Sequence, residues 1–344
     1  MFDFSLLQRL CEARGISGDE GAVRDLIIDE IKDHAEYRVD NLGNLLVHKK
    51  GKAPAKARLM LSAHMDEVGL MVTDITSEGF LKFHEVGGID RRVLPGKQVA
   101  VGKNGVAGVI GVKPIHLTKG DESESVPEPS EMTIDIGADS QEEALAAVSY
   151  GDSVTFAADF TKNGSTVRSK AIDDRFGCCV LIQLIKSDLP YDADFVFVVQ
   201  EEVGLRGAKT AAYTVDPQFA IVIEATTSAE IPEIDKQKQV CNLGEGAVIS
   251  LMDRRTIYDK EMVALALSTA EKLGVKAQLK RAVAGGNDAG SIHQSRGGVR
   301  TLAVSLACRY LHAPDTVASV RDCDSMLELA KALCAEIAGG ALPV

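Results

Sequence analysis

The run Phe195-Val-Phe-Val-Val199 is apolar at every position and stops at Gln200-Glu201-Glu202. A short stretch with no polar face reads as a strand buried on both sides, which belongs inside a sheet covered by helices rather than on a solvated surface. The two carboxylates at its end need an account. An ionised carboxylate is costly to take out of water, so neighbouring acids at the end of a core strand imply a bound cation or a raised pKa, unless both simply reach solvent in the loop.

The rest of the chain decides what surrounds that strand. Helical spacing runs over Phe4 to Arg14 and Asp19 to His34, and Tyr37–Val39 and Leu45–His48 flank Asn41-Leu-Gly-Asn44 as a hairpin-like pair. Arg58 to His64 is a second apolar strand with a polar end. After Lys170, helices near 175–186, 206–212, 260–273, 288–294 and 325–338 alternate with strands at 219–223 and 300–306. This alternation predicts an α/β fold: a mostly parallel sheet with helices on both faces.

At 344 residues the chain exceeds the size at which one core usually keeps growing. Between Leu70 and Ser165 the pattern changes to short alternating strands separated by Gly-rich turns, which predicts a small β-barrel or β-sandwich. The expected division is therefore 1–69 with 166–344 as a discontinuous α/β domain, and 70–165 as a β-rich unit that interrupts it. Within the latter, Thr118 to Glu131 carries Asp121, Glu122, Glu124 and Glu128 among Ser and Pro, and reads as a mobile acidic loop.

Charge and cysteine usage narrow the function classes. The net charge of -12, with a pI near 5.1, argues against a nucleic-acid partner or a polybasic membrane surface and suits cation binding. No basic-then-apolar leader and no bilayer-length apolar run is present, so a soluble, cytoplasmic protein is expected. Seven cysteines, an odd number, with Cys178 and Cys179 adjacent and no Cys-x-x-Cys, fit a reduced compartment.

Ligands of open α/β sheets collect at the carboxyl ends of the strands. Four apolar strands here end in, or shortly before, candidate donors: His64 with Asp66 and Glu67, Glu201 with Glu202, Glu224, and His312. Asp173 and Asp174, ahead of the helix near 175–186, add two more carboxylates. Mixed imidazole and carboxylate donors suit Zn²⁺, Co²⁺ or Mn²⁺ better than Ca²⁺ or Mg²⁺, and the number of donors favours two ions over one. Asp66, two residues beyond His64, is placed to orient the imidazole. His34, His48, His84 and His116 read as surface or packing residues, as does His293 on its short helix. No Gly-x-Ser-x-Gly, Walker or dinucleotide fingerprint stands in a suitable context.

Five motifs together resemble one known group, the M42 family of co-catalytic metallo-aminopeptidases, which includes glutamyl and tetrahedral aminopeptidases. They are Ala63-His-Met-Asp-Glu-Val-Gly69, Lys170-Ala-Ile-Asp-Asp-Arg-Phe-Gly177, Gln200-Glu-Glu-Val-Gly-Leu-Arg-Gly207, Gly285-Gly-Asn-Asp-Ala-Gly290 and Arg309-Tyr-Leu-His-Ala-Pro314, in family order over nearly the whole chain. The resemblance implies that Asp173 bridges two metals, one also held by His64 and Glu224, the other by Glu202 and His312, with Glu201 as general base. It also implies dimerisation through the β-rich unit, and a larger, dodecameric tetrahedral assembly. Two positions depart from the family's usual pattern: Glu224, where Asp is common, and Asn287, where Thr is common.

The activity implied is removal of N-terminal residues from short peptides with a free amine. A metal-bound water has its pKa lowered from about 15.7 to about 7, so Glu201 could take its proton, and the hydroxide could attack the scissile carbonyl. Two other readings are a related dimetal amidohydrolase or deacylase, and a catalytically silent oligomeric scaffold.

Overall fold

In a computed structural model of the chain, which describes residues 1–120 and 125–344, the strand Ala193–Val198 lies inside an eleven-stranded sheet. Its neighbours are Leu59–His64, buried along its whole length, on one side and Leu45–Lys49 on the other. Four strands run parallel at the centre: Ala193–Val198, Leu59–His64, Phe219–Thr227 and Arg300–Arg309. The register sets Val198 beside His64 and Ile223 beside Val304, so these strand ends come out along one edge. Positioning the polar residues is the direct consequence.

The expected parallel sheet is thus the middle of a mixed one, whose flanks are antiparallel. The reason is connection length. Glu36–Val39 and Leu45–Lys49 are joined by a turn in which Asp40 Oδ1 accepts the N–H groups of Leu42, Gly43 and Asn44, and so short a link permits only an antiparallel pair. The central strands are separated by crossovers containing helices.

Those helices form two groups against the sheet. Ile172–Lys186 packs on Leu59–His64 and Phe219–Thr227 and contacts Phe4–Glu12, Gly21–Ile31 and Val320–Ala338. Arg206–Val215 and the single turn Ala289–Ile292 pack on each other and on the central strands. The last helix begins at Val320, five residues before its apolar spacing predicts, because Ser319 Oγ accepts the N–H of Asp322 and caps an extra turn. Gly207, in the first turn of Arg206–Val215, packs against the end of Ala193–Val198; a Cβ there would stand 2.4 Å from the carbonyl oxygen of Val199.

The interrupting unit is a closed six-stranded barrel rather than a sandwich, in the order Gly69–Ile75, Leu81–Val86, Thr133–Asp135, Val106–Gly111, Gln98–Val101, Ser153–Phe156. Leu70, Val72, Leu81, Val99, Ile134 and Val154 fill its interior. By strand pairing the barrel ends at Phe156, short of the expected limit of 165, since Thr161–Asn163 already pairs with Thr166–Ser169 in the large sheet. Of the acidic loop, Asp121, Glu122 and Glu124 lie outside the described residues; Glu128 caps the turn Pro129–Glu131 and pairs with Arg91. All seven cysteines are free and buried, and among the described residues no helix is long and apolar enough to cross a membrane.

Candidate metal centre

Where the central strands stop, the backbone turns sharply. Ala171, Gln200, Leu205, Tyr310 and His312 all have positive φ between 54° and 59° without being glycine. Such residues are uncommon and gather where the surroundings hold a functional arrangement in place. Here each flanks or belongs to one of the predicted segments.

Asp66 organises two of those segments. Its Oδ1 accepts the N–H of Glu201 at 3.0 Å, and its Oδ2 accepts the N–H of Glu202 at 3.1 Å and the hydroxyl of Ser17 at 2.6 Å. His64 Nδ1 lies nearer the backbone oxygen of Asp66, at 3.0 Å, than its carboxylate, at 3.5 Å. The carbonyl of Asp66 is thus the nearer partner of the ring expected to be oriented by its carboxylate, and the carboxylate accepts the Glu201 and Glu202 amides. Sequence spacing shows the first connection but not the second, which spans 135 residues.

With Nδ1 donating to that carbonyl, His64 Nε2 turns to the centre, 3.2 Å from Asp173 Oδ1 and 3.4 Å from Glu224 Oε1. His312 is arranged in the same way. Its Nδ1 donates to the carbonyl of Gly88, on the loop after a barrel strand, at 2.8 Å, and its Nε2 stands 3.3 Å from both Asp173 Oδ2 and Glu202 Oε1. Asp173 thus lies between the imidazoles with one oxygen toward each. Glu201, also buried, makes no ion pair with either ring among the described residues and, like Glu202, lines the cleft.

Asp174 is the competing carboxylate, since its oxygen, His64 and Glu224 lie within 4.8 Å of one another. Its two oxygens accept the N–H groups of Gly177 at 2.8 Å and His64 at 3.3 Å. Among the described residues no backbone N–H donates to the Asp173 carboxylate, whose oxygens face the imidazoles instead. His64, Asp173 and Glu202 form a second group within the same limit.

The donor set fits divalent cations. Burial pushes Glu202 up to about 8, with the charge of Asp173 adding, and Glu224 up to about 7. Burial likewise raises Glu201 well above its ordinary range. Burial opposes the charge on Asp173, but hydrogen bonds from His312 and His64 hold it well below the usual carboxylate range. Glu224 Oε2 is buried without a hydrogen-bond partner. Either protons or a cation would relieve carboxylates so crowded, and the Nε2 atoms left open by the Nδ1 hydrogen bonds are oriented as ligands of a cation would be.

Glu67, a candidate donor in the sequence, instead accepts Lys170 Nζ at 2.7 and 2.9 Å and Arg175 at 3.2 Å, all three buried. The cations that hold it escape sequence reasoning. Arg175 also donates to the carbonyls of Leu10, Ala13, Gly15 and Met65, which ties the end of the first helix to the His64 segment. Lys and Arg flanking Asp173-Asp174 were visible, but nothing local announced their burial. Asn287 now has a role: its amide meets the Tyr258 hydroxyl at 3.1 Å, and its Oδ1 accepts the N–H of Ala289. The dismissed histidines stay away from the centre; His48 pairs with Asp194 and His293 Nδ1 bonds the carbonyl of Ala289.

A cleft of about 410 Å³ opens over the centre, lined by Asp173, Glu201, Glu202, Glu224 and His312 and by the loops at 254–255 and 284–287.

Residues 43–329 match the M42 glutamyl aminopeptidase family. The lysyl aminopeptidase of Pyrococcus furiosus is 34% identical over 348 residues, covering 98% of each chain. Among solved structures, a TET aminopeptidase from a marine sediment thaumarchaeon aligns with a TM-score of 0.93 at 33% identity, over 97% of this chain and 96% of that one. The TET1 peptidase of Pyrococcus horikoshii, which can assemble into a tetrahedron or a large octahedral shell, aligns with a TM-score of 0.85 at 38% identity, over 97% and 99%.

Proposed function

The chain belongs to the M42 glutamyl aminopeptidase family, and from that premise we propose that it removes N-terminal residues from short peptides at a centre of two divalent cations. His64 and Glu224 would hold one ion, Glu202 and His312 the other, with Asp173 shared between them. The two-sided placement of Asp173, one oxygen near each imidazole Nε2, is the observation that carries this reading. Zn²⁺, Co²⁺ and Mn²⁺ suit such donors. Bound there, the cations supply Lewis acidity, lowering the pKa of water and polarising a carbonyl.

The remaining chemistry belongs to the chain's own residues. Both glutamates line the cleft, but Glu202 pairs with His312 while Glu201 makes no ion pair among the described residues, which supports Glu202 as a ligand and Glu201 as the proton acceptor. Glu201 takes a proton from the attacking water at its carboxylate and returns it to the departing amine. Asp66 holds the backbone of both glutamates, so the acceptor is fixed relative to the ligand beside it. Loss of the carboxylate in Glu201→Gln should leave two metals per chain by elemental analysis and lower kcat by about 10² to 10⁴ on aminoacyl chromogenic substrates. Loss of a metal with activity retained would reverse the two roles.

The likeness to TET structures further supports a homo-oligomer. Light scattering should give a mass several times that of one chain; a monomer at physiological salt would count against it.

A further inference from the structure

The backbone that carries the two glutamates is held by side chains from three other parts of the chain. Asn44 Oδ1 accepts the N–H of Val199 at 3.0 Å, Glu20 Oε1 that of Gln200 at 3.1 Å, and Asp66 those of Glu201 and Glu202. Four consecutive amides thus end on side-chain oxygens. The contact from Glu20 spans 180 residues, and Glu20 lies in none of the five motifs.

Glu20 is placed at some expense. It is only 5% exposed, no cation pairs with it among the described residues, and burial raises its pKa. It occupies the N-cap of Gly21–Ile31, where a side chain ordinarily accepts an N–H of its own helix, yet its carboxylate makes no such bond. Its Oε1 takes the N–H of Gly18 at 2.8 Å and that of Gln200 instead. The segment supplying it is fixed in turn: the carbonyl of Gly15 accepts the N–H of Glu67 at 3.0 Å, and Asp19 Oδ2 accepts the hydroxyl of Ser153, on a barrel strand, at 2.6 Å.

Gln200 needs such a partner. Its φ of 57° lies in the left-handed region, which a non-glycine residue keeps only where its surroundings hold it. Its carbonyl accepts the N–H of Arg206 at 3.2 Å, a bond within the same turn. Rotation about φ of Gln200 would swing the Glu201 amide away from Asp66 and carry the carboxylate of Glu201 with it.

We propose that Glu20 is a positioning residue for the reaction: by accepting the Gln200 amide it holds the left-handed turn that sets where the Glu201 carboxylate stands over the cleft. This role rests on Glu201 as the proton acceptor. His64, Asp173, Glu224 and His312 lie on other segments, so the loss of Glu20 should fall on the chemical step rather than on metal binding.

The test uses metal-loaded protein and three substitutions. Glu20→Leu removes the acceptor, Glu20→Gln keeps an oxygen in its place, and Gln200→Gly lets the left-handed turn form without steric cost. With two metals per chain by elemental analysis, Glu20→Leu should lower kcat on leucyl p-nitroanilide about 10²-fold and change KM less than about threefold. Glu20→Gln should stay within about fivefold of wild type, because the hydrogen bond survives. In a Gln200→Gly background the loss caused by Glu20→Leu should shrink about tenfold, a coupling that general loosening would not produce. Where Glu20→Leu does not fold, Glu20→Asp, which withdraws the oxygen by one methylene, takes its place. Hydrogen exchange by mass spectrometry needs no turnover: peptides holding the amides of residues 200–202 should exchange about tenfold faster or more in Glu20→Leu and at the wild-type rate in Glu20→Gln. Unchanged kcat in Glu20→Leu, equal losses in both backgrounds, or loss of a metal overturns the positioning role and leaves the aminopeptidase reading standing. If the wild type cleaves no aminoacyl substrate, that reading fails, and exchange alone decides whether Glu20 holds the turn: faster exchange in Glu20→Leu supports it, and an equal rate overturns it.

Discussion

Asp66→Asn is the substitution from which most can be learned, because it preserves shape and removes one acceptor. The carboxylate is fully buried and receives the N–H groups of Glu201 and Glu202 and the Ser17 hydroxyl. A carboxamide must turn its NH₂ toward one of the two amides, and a donor then faces a donor. Losing a bond to a charged group removes roughly 1.5–3 kcal/mol, and the orphaned buried N–H adds roughly 1–3 kcal/mol. The two ranges sum to roughly 2.5–6 kcal/mol, against a domain stability of roughly 5–15 kcal/mol, so the variant should be clearly weakened. Urea unfolding of chelator-treated protein measures this. Because Glu201 would lose its backbone anchor, kcat/KM should fall by about 10²-fold in parallel. Ser17→Ala leaves the two amide bonds in place and should cost only about 1 kcal/mol. An unchanged unfolding midpoint in Asp66→Asn, or a large stability loss with full activity, would refute the positioning role.

The crowded carboxylates also make stability depend on pH when metal is absent. Glu224 and Glu202 are raised by burial from an ordinary value of 4.5 to about 7 and about 8, and His312, despite its burial, is held up at about 9 by Asp173 and Glu202. In each case the folded state binds protons that the unfolded state has released, so metal-free protein should lose stability as pH rises from about 5 to about 9. Added Zn²⁺ should remove this slope, and melting curves across that range with and without metal would reveal a failure of either half. Lys170→Met leaves Glu67 buried with Arg175 as its one remaining cation. Breaking a buried pair costs roughly 3–5 kcal/mol, and a shift in urea midpoint worth less than about 1 kcal/mol would show that Arg175 suffices.

The candidate donors were legible because apolar strands announce themselves and their ends must be where polarity begins. Glu202, Glu224 and His64 could be placed on one edge from the sequence, since parallel strands align their carboxyl ends. What stayed hidden were contacts between remote segments. Asp66 reaches the amides of Glu201 and Glu202, and Arg175 gathers four carbonyls, without any local pattern to show it. The antiparallel flanks were hidden too, because burial alone does not distinguish strand direction. The division of labour between Glu201 and Glu202 followed from the family resemblance and not from any pattern in the residues themselves.

The carbonyl of Gly88 gives the barrel a place in the chemistry. It belongs to the loop after Leu81–Val86, and it fixes which nitrogen of His312 is presented to the centre. The barrel is therefore not an interchangeable module. A chimera that replaced it with a shorter linker, or with a barrel from another source, would have to reproduce one peptide oxygen at that point in space. Without it the imidazole would be free to present its other tautomer, and the α/β unit could fold with its sequence motifs intact and yet be miswired.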